Sequence, residues 1–189
     1  MTTRFRLLVA GAAVAISVVG AVVWSRAAGS GPETDVVLDE PGVYVLPGLA
    51  TNPPLPSDQL PDVDLRAVDG TAAALVPDGR PMVVNLWYSA CPPCTRELAD
   101  FAVVDAELGD RVRFVGVNPW DTAEKMVSFA ADRGVTYELL RDDRGAFAEA
   151  LDISSYPATL LVGADGTIVD VTGPIDDDDL RQRITELWP

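Results

Sequence analysis

The chain has 189 residues, a formal net charge of −15 at pH 7, two cysteines and no histidine. That length fits one domain with extensions, and so acidic a surface repels nucleic acid, which is held by clustered Lys and Arg. The lack of histidine excludes Ser-His and Cys-His catalysis and removes the commonest zinc ligand, so a zinc site would need two carboxylates beside both cysteines, and no metal is expected.

The run LLVAGAAVAISVVGAVVW, Leu7 to Trp24, is uncharged and has about the length that crosses a bilayer. Arg4 and Arg6 precede it and the first acidic residue is Glu33, so the positive-inside tendency puts the N-terminus in the cytoplasm and the bulk of the chain outside. The other reading is a secretory signal peptide cleaved near the small residues of SRAAGS, although the apolar run exceeds the usual core of such peptides. No cysteine stands close after the run, the first being Cys91, which excludes a lipid-modified lipoprotein. Either way the folded part faces a disulfide-permissive space. Residues 1–29 are therefore an anchor or signal segment. Residues 30–61, with Pro32, Pro41, Pro47, Pro53, Pro54, Pro56 and Pro61, read as a semi-rigid stalk in which VYVLPGL could form a short strand. The folded domain is 62–189.

Within it, DLRAVDGTAAAL has a D-G turn between short apolar segments, a hairpin signal. MVVNLWY is a continuous apolar run, as expected of a buried strand. Leu98, Phe101, Ala102, Val104, Asp105 and Leu108 give helical spacing from Pro93 to Leu108, closed by Gly109. RVRFVGVN is the next strand. A second helix is predicted from Thr122 to Arg133, capped by Asp121 or Thr122, with Val127, Phe129 and Ala130 inward and Gly134 at its end. YELL is a short strand, GAFAEAL a turn or two of helix, and ATLLV and TIVDVTG flank GADG as a hairpin. The aspartates of Asp176 to Leu187 suit the positive end of a last helix. The order implies an α/β domain, a central mixed sheet with helices on both faces.

Cys91 and Cys94 fall where the first long strand hands over to its helix, where open α/β sheets place reactive groups. A structural disulfide across two residues closes too small a loop to stabilise much. Redox chemistry has a mechanism instead. At the mouth of a helix the Cys91 thiolate is stabilised by unpaired N–H groups and the dipole; it attacks a partner disulfide, and Cys94 resolves the mixed disulfide. Pro92 and Pro93 lack N–H groups, and each disfavours helix at the residue before it, so the helix is predicted to begin at Pro93 and the first donor to Cys91 to be Cys94. A less stabilised thiolate favours the disulfide and makes a better reductant.

VVNLWYSACPPCTREL, with FVGVN, LLRDDRGAFAEALDI and SYPATLLVGADGTIV after it, resembles the membrane-anchored TlpA/ResA-like thioredoxins, over about Val63 to Trp188. The resemblance implies a thioredoxin fold and an extracytoplasmic thiol:disulfide oxidoreductase with no cofactor beyond its Cys91–Cys94 disulfide. It casts Cys91 as nucleophile, Cys94 as resolving thiol and Pro157 as the cis-proline, with Tyr156 before it pairing to an extended partner segment; on sequence alone a trans proline opening a strand is the ordinary reading. Glu97 matches an acidic residue that tunes the thiols, though by spacing it could equally be a solvated helix residue. Asn85 stands where cytoplasmic thioredoxins carry a buried aspartate, which makes Glu97 the proton handler. Ala90 replaces the usual tryptophan and is expected to open the site. Trp87 is a candidate contact surface or a core aromatic, and Pro92 is an uncommon choice between the cysteines. Trp87, Ala90, Pro92, Pro93 and Tyr156 thus form the expected substrate-binding set. The expected partners are exported protein thiols or disulfides, apocytochrome c among them, and a membrane thiol carrier that supplies electrons. Reduction is the favoured direction. The alternatives are an oxidase forming disulfides in secreted proteins and a non-catalytic binding module on the same fold.

Overall fold

The computed structural model describes residues 52–189. The predicted anchor, the VYVLPGL strand and the stalk as far as residue 51 lie outside the described residues. No helix among the described residues is long and apolar enough to cross a membrane.

The strands are β1 (Leu65–Ala67), β2 (Ala72–Ala73), β3 (Met82–Leu86), β4 (Arg113–Asn118), β5 (Glu138–Arg141), β6 (Ala158–Val162) and β7 (Ile168–Thr172); the helices are α1 (Pro92–Leu108), α2 (Ala123–Ala131), α3 (Ala146–Ala150) and α4 (Asp177–Leu187). The strands form one mixed sheet in the order β2-β1-β5-β4-β3-β6-β7. β3, β4 and β5 are parallel, while β6, β7 and the β1–β2 hairpin join antiparallel. β3 is wholly buried because it has a strand on either side and packed layers on both faces.

Alternation along β3 and β6 divides the core in two. Met82, Val84, Leu86, Ala158, Leu160 and Val162 face the layer under α3, with Phe147 and Leu151. Val83 and Leu161 point the other way, toward Phe101 and Val104 of α1 and Leu180 and Ile184 of α4. Trp87, Leu98 of α1 and Met126 and Ala130 of α2 continue that second layer toward the cysteines. Helices on both faces of a mixed sheet is the architecture expected.

Several local expectations need correcting. α1 begins one residue early, at Pro92, because the first helical position needs no N–H and the proline ring already holds a helical φ. In α2 it is Met126 and Ala130, four residues apart, that are buried, while Val127 is 42% exposed; one residue along a helix turns the side chain about 100° off the buried stripe. The described end of the predicted stalk does not stand off the domain. Leu55 and Leu60 pack on the core, Gln59 pairs with Thr167, and Asn52 binds Ser154 and Ser155 through three hydrogen bonds of 2.8 to 3.0 Å. Both hairpin turns use a glycine at positive φ, Gly70 at +84° and Gly166 at +90°, backbone that other residues rarely adopt.

Candidate active site

The parallel pairing of β3 with β4 brings the two carboxyl ends of these strands side by side, with Trp87 N–H bonded to Val117 O. The turn after β3 carries the cysteines. Cys91 is extended (φ −94°, ψ 107°), the conformation required before a proline, and caps α1. Its N–H donates to Tyr88 O and its carbonyl accepts from the Thr95 N–H and hydroxyl. Cys91 and Cys94 form a disulfide with Cα atoms 5.3 Å apart. With prolines at the first two helical positions, the first N–H is that of Cys94, and it donates to Cys91 Sγ at 3.2 Å. Here a disulfide sulfur occupies the place that the thiolate takes on reduction.

Both cysteines are buried, Cys91 at 2% and Cys94 at 0% exposure. The expectation that Ala90 leaves the site open is thus corrected: Ala90 is exposed, but Cys91 lies in a cluster against which Tyr88 and Tyr156 pack. Pro92 is exposed and Pro93 half-buried at the same rim. Trp87 has no exposed surface and stacks on Phe129 with centroids 5.9 Å apart, so it is a core aromatic and not a contact surface. The Tyr156–Pro157 bond is cis. Because Leu86 pairs with Ala158, Pro157 lies one step beyond, at the end of the sheet that carries the cysteine turn.

Glu97 lies one helical turn after Cys94, on the same face of α1, and is 2% exposed. Its Oε2 accepts from Asn85 Nδ2 at 3.0 Å and its Oε1 from Ile175 N–H at 3.1 Å. Burial pushes its pKa up to about 8, against the lowering effect of those two hydrogen bonds. Asn85 Nδ2 also reaches Thr159 Oγ1 at 3.2 Å, and Asn85 Oδ1 has no hydrogen-bond partner. Turning that amide over would offer Glu97 an acceptor in place of a donor, so Asn85 can serve either protonation state of the carboxyl. Such a group can take a proton from a thiol and return it near neutral pH.

One neighbouring segment was not assigned to the site from the sequence, where Asp121 figures only as a helix cap. The loop after β4 holds Trp120 and Asp121. Asp121 accepts from Ser89 N–H (2.7 Å), Ser89 Oγ (2.6 Å), Asn118 Nδ2 (2.9 Å) and Lys125 Nζ (3.1 Å). Burial acts to raise its pKa, but the hydrogen bonds outweigh this and hold it below the ordinary carboxylate range. The clue available in the sequence was position alone: PWD directly follows the strand RVRFVGVN, and strand carboxyl ends are where such folds build sites.

Residues 56–171, more than half of the chain, match the sequence model of the AhpC/TSA family. The chain belongs to the AhpC/TSA family. Among its relatives, the thioredoxin-like protein YneN of Bacillus subtilis is 28% identical over 131 residues, which is 67% of this chain and 76% of that protein. The thiol:disulfide interchange protein HelX of Rhodobacter capsulatus is 31% identical over 113 residues, 58% of this chain and 62% of HelX. The solved structure of MTB dsbF, in mixed oxidized and reduced forms, superposes with a TM-score of 0.60 at 29% identity, covering 72% of this chain and 99% of that one. The likeness to the TlpA/ResA-like thioredoxins and the thioredoxin-like fold therefore hold. Within the family this chain is a thiol:disulfide oxidoreductase with a Cys91–Cys94 pair.

Proposed function

We propose that this oxidoreductase works outside the cytoplasm, tethered by the apolar run Leu7–Trp24, and reduces disulfides of selected exported proteins. The observation that carries the direction is the helix start. Among the described residues, the Cys94 N–H is the only hydrogen-bond donor to Cys91 Sγ, and Pro92, Pro93, Cys94 and Thr95 carry no positive charge, the first in the helix being that of Arg96. The thiolate is left with little stabilisation, which favours the disulfide form and makes the dithiol a reductant.

Cys91 thiolate attacks a partner disulfide, one partner sulfur leaves as thiolate, and a mixed disulfide forms. Glu97 takes the Cys94 proton, and the Cys94 thiolate displaces the second partner sulfur, leaving the partner with two more electrons and the enzyme as the Cys91–Cys94 disulfide. Those electrons must be returned by a membrane thiol carrier. Apocytochrome c, which must be kept as a dithiol before haem attachment, is the candidate substrate, and electrons pass through the cysteine pair alone, without a further cofactor.

Equilibration with glutathione tests the direction: a reduction potential nearer thioredoxin's, roughly −270 mV, is expected, and one near roughly −120 mV, that of a strong oxidant, would overturn it. Cys94→Ser in cells should leave a long-lived mixed disulfide on Cys91, sedimenting with membranes, with a partner that was awaiting reduction.

A further inference from the structure

We propose that Trp120 is a specificity-determining residue of the thiol:disulfide exchange, reading an apolar or aromatic side chain next to the cysteine of an extended polypeptide partner. Trp120 is 62% exposed, so the fold gains little from it. It is nonetheless held in place. Its ring lies edge-on to Tyr88 with centroids 4.4 Å apart and tilted against Tyr156 at 4.9 Å, and Tyr88 meets Tyr156 edge-on at 5.6 Å. Two of these rings belong to the site itself, since Tyr88 O accepts the Cys91 N–H and Tyr156 precedes Pro157.

The backbone beneath the indole is also fixed. Asn118 Oδ1 accepts from the N–H groups of Trp120 and Asp121, and the Asp121 carboxylate binds the N–H and hydroxyl of Ser89, two residues before Cys91. The loop after β4 and the cysteine turn after β3 are therefore tied together by hydrogen bonds. An exposed indole locked to the reactive turn presents a large contact area with little ordering entropy still to lose.

The chemistry of the rim selects the occupant. Ala90 and Pro92, on either side of Cys91, are exposed and uncharged, and the Tyr156 phenol stays neutral, its pKa pushed up to about 12 by burial and by Asp142 and Tyr88. This is an apolar mouth on a chain of net charge −15, whose field disfavours acidic segments. Aromatic contact at such a site contributes about 0.5–1.5 kcal/mol beyond area burial, so up to about tenfold in kcat/KM separates a matching from a non-matching partner. The inference rests on the exchange activity and is independent of the direction of electron flow.

The test uses the full chain, recycled by dithiothreitol, and two peptide disulfides identical except for Phe or Gly beside the cysteine. For wild type, kcat/KM should favour the Phe peptide by about fivefold to tenfold. Trp120→Ala should bring the ratio close to one, chiefly through KM, and Trp120→Phe should restore most of it, with thermal midpoints reported for all three. Equal loss on both peptides, or an unchanged ratio in Trp120→Ala, overturns the proposal. Wild-type turnover of the Gly peptide reports separately on the exchange activity, so its failure would be distinguishable.

Discussion

Glu97 sits in α1 among residues that sequence spacing allowed to be solvated, and its environment comes from elsewhere: Asn85 on β3, Ile175 before α4 and Thr159 on β6 through Asn85. Because its folded pKa is raised from the ordinary value to about 8, the folded protein keeps a proton that the unfolded chain has released across the window from 4.5 to about 8. Stability therefore falls as pH rises through that window, by at most about 1.4 kcal/mol per pH unit for one proton. Glu97→Gln should remove this slope while leaving the fold, and denaturant midpoints between pH 5 and 8 would show it; parallel profiles for variant and wild type would refute the role. The same variant should slow resolution by Cys94, since the proton acceptor is gone. Cys91 and Cys94 were legible from spacing alone, whereas the burial of Glu97 depends on three distant segments that no local pattern reveals.

At the scale of elements, the start of α1 governs the redox chemistry. Two prolines at its first positions deny Cys91 the donors that most helix N-termini would offer. Pro93→Ala returns an N–H at the second helical position, from which an N-cap side chain can accept, without changing charge. Its reduction potential should rise, becoming more oxidising by on the order of 30 mV for about 1.4 kcal/mol of thiolate stabilisation, and an unchanged glutathione equilibrium would remove the main support for the reductive direction. The helices and strands themselves were well marked, because apolar period, proline and glycine act over a few residues. The phase of α2 was not: Val127 and Met126 are both good core residues, and only the position of Trp87 and Leu98 across the layer decides that Met126 turns inward.

Across the whole molecule, the segment before the domain and the loop before Pro157 are joined. Asn52 accepts from the N–H groups of Ser154 and Ser155 and donates to Ser155 O, two residues short of the cis bond. Asn52→Ala removes all three bonds and should lower stability by about 1–2 kcal/mol, seen as a fall of a few degrees in the thermal midpoint; no change would mean that the Asn52 bonds do not hold this segment to the domain. A proline-rich composition suggested a spacer, and it carries no sign of this, because a hydrogen-bond clamp between residues about a hundred positions apart exists only once β6 and β7 are folded.

The sequence by itself determined what is local and covalent: two cysteines at a strand-to-helix junction, prolines that cannot donate, no histidine, and strands and helices marked by period and punctuation. The tertiary structure alone decided what depends on neighbours from elsewhere in the chain. It buried Cys91 despite the small Ala90, made Trp87 a core residue, raised Glu97 by burial, and set Trp120 against Tyr88 and Tyr156, with the parallel pairing of β3 and β4 bringing the two turns together. Burial and electrostatics are sums over surroundings in space, and surroundings in space follow from the topology of the sheet.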